Sequence, residues 1–423
     1  MKRGRLPAAL HLVLAASVVG AVAPAKADAI TDWNSTTHEL IGQAKIGTPP
    51  AVRIVALVQT AAFEAAHAAA ERYPGPLSPA TPATASVEAA VAAAHRALLV
   101  KLLPAQQTAV EAAYHRALAV VPDGPHKAAG LAIGDEAAAA VLARRSGDRV
   151  GSEDYRPQTT PGVYVPTASP AAFQWPQRQP WLMAAPNQFR PGPPPALDSD
   201  LWARDFNEVR TLGGKNSSSR SPEQTVIANF WEYSLPAIYH GLVRSVAEAP
   251  GRDIVRNARL FATVSQAMDD AMISVFDAKY HYNFWRPATA IRNGDLDGHP
   301  GTPREAGWVP FIETPMHPEY PCAHCILAGS VAAVIEAEAG GGATPTLATT
   351  SPSARGAVRR WESPQAFAKE VANARIYDGV HFRNSTEVGL AMGRRIGELA
   401  ATRLLRPDPP AYAAATVAVD GGR

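Results

Sequence analysis

Apolar residues recur at spacings of three and four along almost the whole chain, in segments dominated by Ala, Leu, Glu and Arg. Alternating Val, Ile and Thr runs bounded by turn residues are almost absent, which restricts the fold to packed helices. The periodicity predicts helices over 36–46, 50–72, 85–103, 105–120 and 126–146, separated by breaks such as Gly47-Thr48-Pro49-Pro50 and Val121-Pro122-Asp123-Gly124. Helices resume over 199–212, 222–248, 251–285, 323–339, 364–377 and 384–405, with an irregular stretch over 293–320. Gly340-Gly341-Gly342 and the Thr/Ser/Pro residues that follow to Ser353 read as a flexible loop. No repeat of fixed period is present, which argues against a solenoid.

Between 151 and 199 the chain changes character, carrying 11 of the 38 prolines together with several aromatics. That is too long for an ordinary connection, and the aromatics argue against a solvated linker, so an ordered strap across the helices is expected. The resulting expectation is an all-α protein of two packed helical bundles, 28–150 and 199–410, with the Pro-rich strap at 151–198 and a tail at 411–423.

Residues 1–27 read as a secretory leader: Lys2, Arg3 and Arg5, an apolar run over 6–23, then Ala25-Lys26-Ala27 as an A-x-A cleavage site. An uncleaved anchor is the alternative, but the run contains Pro7 and His11 and is short for a span. Cleavage after Ala27 places the protein in the periplasm or outside the cell. It also removes four basic residues, taking the net charge from +2 to −2. Neither value gives the basic footprint of a nucleic-acid binder. No later stretch of 18 apolar residues lacks a charge, so a soluble mature chain without a membrane span is expected; the oligomeric state is left open.

Three segments of the second half concentrate cations, histidines and helix ends. In Lys279-Tyr280-His281-Tyr282-Asn283-Phe284-Trp285-Arg286-Pro287 the spacing of seven predicts that Lys279 and Arg286 share one helix face about 10.5 Å apart along the axis, with Pro287 ending the helix. In His317-Pro318-Glu319-Tyr320-Pro321-Cys322-Ala323-His324-Cys325 a proline precedes an apolar helix, leaving free backbone N–H groups that suit an anion, with His324 at the rim. In Arg375-Ile376-Tyr377-Asp378-Gly379-Val380-His381 a helix break at Gly379 would let Arg375 and His381 face one pocket. One Lys, two Arg, two His and a helix N-terminus together suit a tetrahedral oxyanion. Adjacent Asp269 and Asp270 point to different helix faces and read as structural acids. Asp295-Leu296-Asp297-Gly298 reads as a turn, because the later glutamate of a calcium loop is missing.

The three segments resemble, in order and spacing, the signature of the vanadium-dependent haloperoxidase and type 2 phosphatidic acid phosphatase superfamily: K-x6-R-P, P-S-G-H and S-R-x5-H-x3-D. Separations of 33 residues from Pro287 to Pro321 and 49 from His324 to Ala374 suit it. Asp32-Trp33-Asn34, Gln188-Phe189-Arg190-Pro191 and Asp205-Phe206-Asn207-Glu208 look like bacterial soluble members. The resemblance implies that Lys279, Arg286, Cys322, Ala323 and Arg375 bind the oxyanion, that His324 is the acid/base, and that His381 is axial to vanadium. It implies a vanadate cofactor, with peroxide, halide and an organic acceptor as partners. His317 and Phe276 would flank the halide, and His317 suggests bromide. The alternative is a metal-free phosphomonoesterase acting on a phosphate ester, with His381 as nucleophile. A third reading is a catalytically silent oxyanion-binding protein.

Three residues depart from the signature: Cys322 for Ser, Ala323 for Gly, and Ser385 for the Asp that supports the second histidine. Ser385 can hydrogen-bond but cannot hold an imidazolium by charge. A free Cys322 thiol at a helix N-terminus beside cations would be acidified and oxidised, so a disulfide to Cys325 is one expectation. A thioredoxin-like redox pair is the other reading of Cys-x-x-Cys, disfavoured by the helical surroundings, and a zinc site is weaker still.

Overall fold

A computed structural model describes residues 28–70, 85–148 and 155–405. The leader at 1–27 and the tail at 411–423 lie outside the described residues. The first half contributes α1 (Ala29–Gln43), α2 (Thr48–Ala70), α3 (Val87–Leu102), α4 (Gln107–Leu118) and α5 (Pro125–Arg144). After the Pro-rich segment come α6 (Asp200–Leu212), α7 (Pro222–Trp231), α8 (Ala237–Ala247), α9 (Ile254–Tyr282) and α10 (Pro287–Arg292). The chain ends with α11 (Ala323–Ala339), a hairpin of β1 (Leu347–Ser351) and β2 (Ala357–Trp361), α12 (Pro364–Tyr377) and α13 (Arg383–Leu404). The fold is all-α apart from that hairpin, with the two strands antiparallel and Leu347 opposite Trp361.

Helix starts follow local chemistry. Asp28, Ser86, Ser199, Ser221, Asp253 and Ser363 each accept a first-turn backbone N–H through the side chain, which satisfies a donor the helix itself cannot. Asp28 therefore starts α1 well before the residue 36 that periodicity suggests. The single helix expected over 222–248 is two, α7 and α8, because Pro236 has no N–H with which to continue the ladder. The expected flexible loop after Gly342 is also partly wrong. Leu347 and Ser351 are fully buried, and the hairpin they belong to packs on α8, whose Ser245 hydroxyl accepts from Ala348 N.

The 29-residue α9 runs through the centre, buried on nearly every side from Val255 to Lys279. On one flank it packs against α2, and on the other against α11 and α13. Residues 155–199 lie along it, fastened by its acids. Asp270 accepts the backbone N–H groups of Trp181, Leu182 and Met183 at 2.6–2.9 Å. Asp269 takes Trp181 Nε1 and Arg53, and Asp277 takes Arg190. Both members of the Asp269-Asp270 pair are thus structural. Asp297 is likewise spent internally, on Trp202 Nε1, His299 N and Thr302 Oγ1. Among the described residues no helix is long and apolar enough to cross a membrane.

Candidate functional site

Asn283 closes α9 in the left-handed conformation at φ +48°. Beyond it the chain pairs with the strap, Tyr164 N donating to Asn283 O and Trp285 N to Gly162 O. Arg286 is therefore extended, and Pro287 begins α10 instead of ending α9. The expectation of one helix face shared by Lys279 and Arg286 is incorrect. The two cations converge because the chain reverses between them.

Lys279 Nζ donates to the carbonyls of Pro318 and Glu319 at 2.9 and 2.8 Å. Arg286 donates to the carbonyls of His317 and Val380, to His317 Nδ1 at 2.9 Å, and to His381 Nε2 at 3.3 Å. Both cations are buried, and they tie the second and third segments to the end of α9.

The third segment turns where Gly379, at φ +76°, follows α12. Val380 N and His381 N return to the Arg375 carbonyl. Phe382 packs edge-on against Trp202 at 4.8 Å, which fixes the ring preceding α13. Arg375 pairs with Asp378 at 2.6 Å and donates to Trp231 O, yet its Nε has no hydrogen-bond partner among the described residues.

In the second segment, Cys322 and Cys325 form a disulfide, and Cys322 Sγ accepts from Cys325 N at the N-terminus of α11. Ala323 is an ordinary first helical residue, so its Cβ is accommodated. Next to it, His324 Nε2 is buried without a hydrogen-bond partner among the described residues.

These residues border a cavity of about 410 Å³ lined by Phe276, His317, Ala323, His324, Arg375 and His381. Met272, Met316, Leu327 and Ile312 form an apolar side, and Glu232 and Glu313 also lie in the wall. Phe276 meets His317 edge-on at 5.3 Å. Lys279, Arg286 and Cys322 are not in the wall. The cations stand behind it, and the cysteine sulfur is engaged in the disulfide, which leaves it no S–H to donate to an oxyanion.

Sequence reading also missed a residue. His381 Nδ1 lies 2.7 Å from Glu319 Oε1, which additionally accepts from Phe382 N at 3.0 Å, whereas Ser385 Oγ is 3.4 Å from that nitrogen. The signal was present, since Glu319 is the one carboxylate in the second segment.

The electrostatics state what is needed to balance the site. Burial first, and then the neighbouring cations, hold His317, His324 and His381 well below the usual histidine range. Burial likewise depresses Lys279, with Arg286 adding to it, and brings Arg286 down to about 10. Burial raises Glu319 to about 7 against the pull of Lys279 and Arg286. The buried basic side chains Lys279, Arg286 and Arg375 have only two buried carboxylates beside them, Glu319 and Asp378, each of which burial raises to about 7, so negative charge in the cavity would be favoured. Unpartnered His324 Nε2 and Arg375 Nε, with the α11 N-terminus, fit a compact oxyanion such as vanadate. Among the described residues no group of three or more His, Cys, Asp or Glu is arranged to hold a metal cation.

Residues 259–407 match the family described as the VCPO second helical-bundle domain. A vanadium chloroperoxidase of Curvularia inaequalis is 33% identical over 173 residues, covering 33% of this chain and 28% of that protein. The match therefore spans less than a third of that relative's length. Among solved structures, the first bacterial vanadium-dependent iodoperoxidase superposes with a TM-score of 0.74 at 24% identity, over 88% of this chain and 95% of the other. A holo-type bacterial vanadium-dependent chloroperoxidase gives 0.68 at 16% identity, over 86% and 93%. At those identities the structures show a shared fold.

Proposed function

We propose that the chain, whose residues 259–407 match the VCPO second helical-bundle domain, is a vanadium-dependent haloperoxidase, and that it oxidises a halide with hydrogen peroxide at a vanadate centre. The observation that carries the reading is the cavity with Arg375 in its wall and Lys279 and Arg286 behind it, where His324 Nε2 and Arg375 Nε have no partner among the described residues and the His381 Nε2 lone pair faces Arg286. Bound vanadate would supply Lewis acidity that activates peroxide toward the halide. Peroxide, halide and a proton then give hypohalous acid and water.

The chain's own residues account for the rest. His381 Nε2 must accept, because its neighbour Arg286 can only donate. It is the nitrogen that would hold the anion, in place of the Arg286 contact. Arg375 at the wall, with Lys279 and Arg286 behind it, would neutralise the anion, and the Ala323 N–H would point at it. His324 would hold or release the proton at Nε2, as general acid/base work requires. His317 and Phe276 would flank the halide, with bromide favoured by His317, and the apolar side with Met272 and Leu327 would admit an organic acceptor. Export through the leader at 1–27 is part of the same proposal, checked by N-terminal sequencing of the mature protein.

The test is bromination of a dione dye by metal-stripped protein with peroxide and bromide, with and without orthovanadate, run beside hydrolysis of a chromogenic phosphate ester. Vanadate-dependent bromination with negligible hydrolysis is the expected result. Metal-free hydrolysis inhibited by vanadate would transfer His381 and His324 to phosphatase roles, and vanadate binding without either turnover would leave an anion-binding protein.

A further inference from the structure

Residue Ser385 cannot fix the ring of His381 by charge, yet that ring is held from both sides. On one side Arg286 Nη1 meets Nε2 at 3.3 Å, and a guanidinium can only donate. On the other side Glu319 Oε1 meets Nδ1 at 2.7 Å while also accepting from Phe382 N, so that oxygen is an acceptor. The two contacts agree on one tautomer, with the proton on Nδ1 and the lone pair on Nε2. Glu319 is itself immobilised: it is fully buried, its carbonyl accepts from Lys279 Nζ, and its N–H donates to Phe284 O.

We infer that Glu319 is the positioning residue for His381, taking from the second segment the part that an aspartate at 385 would otherwise play. The inference rests on His381 holding the anion, as proposed above. It does not depend on which reaction follows.

A purely electrostatic role for Glu319 has the opposite sign. A carboxylate beside three cations weakens any anion held by charge alone, so removing it should tighten anion binding. Removing the acceptor that aims Nε2 should weaken an anion that bonds to that nitrogen. Glu319→Leu and Glu319→Gln both remove the charge, but only the leucine removes the acceptor.

Binding of orthovanadate and of sulfate to the full-length protein, measured by equilibrium dialysis, separates these effects. In Glu319→Leu, vanadate affinity should fall by about 10- to 100-fold, the range for partners that orient a ligating histidine. Sulfate affinity should hold or rise. Glu319→Gln should keep vanadate affinity within a few-fold, and Ser385→Asp in the Glu319→Leu background should restore part of it, which also controls for folding. Tightening of both anions in Glu319→Leu, or equal vanadate loss in the Gln and Leu variants, would overturn the assignment. So would parallel loss of both anions that Ser385→Asp does not relieve, or a wild type that holds vanadate no more tightly than sulfate. The expected binding pattern in a wild type that brominates nothing would remove the proposed activity and leave Glu319 in its role.

Discussion

A methyl group added to Gly389 on α13 would stand 2.7 Å from the carbonyl oxygen of Cys322, at the start of α11. Gly393 and Gly397 meet α11 in the same way one and two turns further along, so the two helices lie backbone to backbone. The N-terminus that faces the cavity is set by that contact. Gly389→Ala should cost about 1–3 kcal/mol through overpacking, offset by up to about 1 kcal/mol of helix propensity. It should also weaken vanadate binding by displacing Ala323. Urea denaturation and a vanadate titration check both, and a variant as stable and as tight as wild type would contradict the packing argument.

The two histidines should separate by phenotype. His381→Ala removes the nitrogen proposed to hold the anion and should abolish vanadate retention on gel filtration. His324→Ala should keep vanadate and lose turnover by about 10²- to 10⁴-fold, the usual worth of a positioned acid/base. Equal vanadate retention in His381→Ala and wild type would reject His381 as the residue that holds the anion.

Cys322 is disulfide-bonded and does not line the cavity. Thiol titration of denatured, unreduced protein should find no free thiol. The double variant Cys322→Ser with Cys325→Ala removes a very short loop, so its cost should be about 2 kcal/mol. Serine is itself a good N-cap, and vanadate affinity should stay within about threefold of wild type. Tenfold loss on dialysis would show that the disulfide shapes the site.

Three histidines away from the cavity set an acid limit. Burial drives His95 down to about 4 and His240 to about 3, and holds His38 well below its usual value with His240 and Arg244 adding to it. The unfolded chain protonates these groups at about 6.5. At these three groups the unfolded chain binds more protons than the folded one below that pH, so their contribution to stability is complete above about pH 6.5 and declines as pH falls toward the folded values, while buried acids such as Glu319 and Asp378, raised to about 7, act with the opposite sign. Each neutral histidine contributes up to about 1.4 kcal/mol of loss per pH unit in that window. Urea midpoints of vanadate-free protein at pH 7.5 and 5.5 read the balance, and His95→Gln should lose less stability than wild type between those two values. The same pH dependence in His95→Gln and wild type would refute the assignment.

The strap gives a stability prediction of its own. Asp270→Ala would leave three partly or wholly buried N–H groups of Trp181, Leu182 and Met183 without their acceptor, at about 1–3 kcal/mol for each group that stays dry. Loss of several kcal/mol is expected, with increased proteolysis inside 155–199, and limited proteolysis followed by mass spectrometry reads it directly.

Most helices were legible in the sequence because helix formation is a local, periodic property: the apolar spacing and break residues brought α11, α12 and α13 to within a residue of their observed ends. The oxyanion segments were legible for a related reason, since each is a short run whose residue types constrain one another. What only the tertiary structure decided were the encounters between runs. Arg286 reaches the site through a chain reversal held by strap residues more than 100 positions earlier, where helical spacing pointed to a shared face with Lys279. Glu319 reaches His381 across 62 positions. A hydrogen bond over such a distance depends on how several helices pack, and it leaves no periodic trace in the chain. Ser385 therefore stood in the sequence as a missing carboxylate, while the fold had already supplied one from another segment.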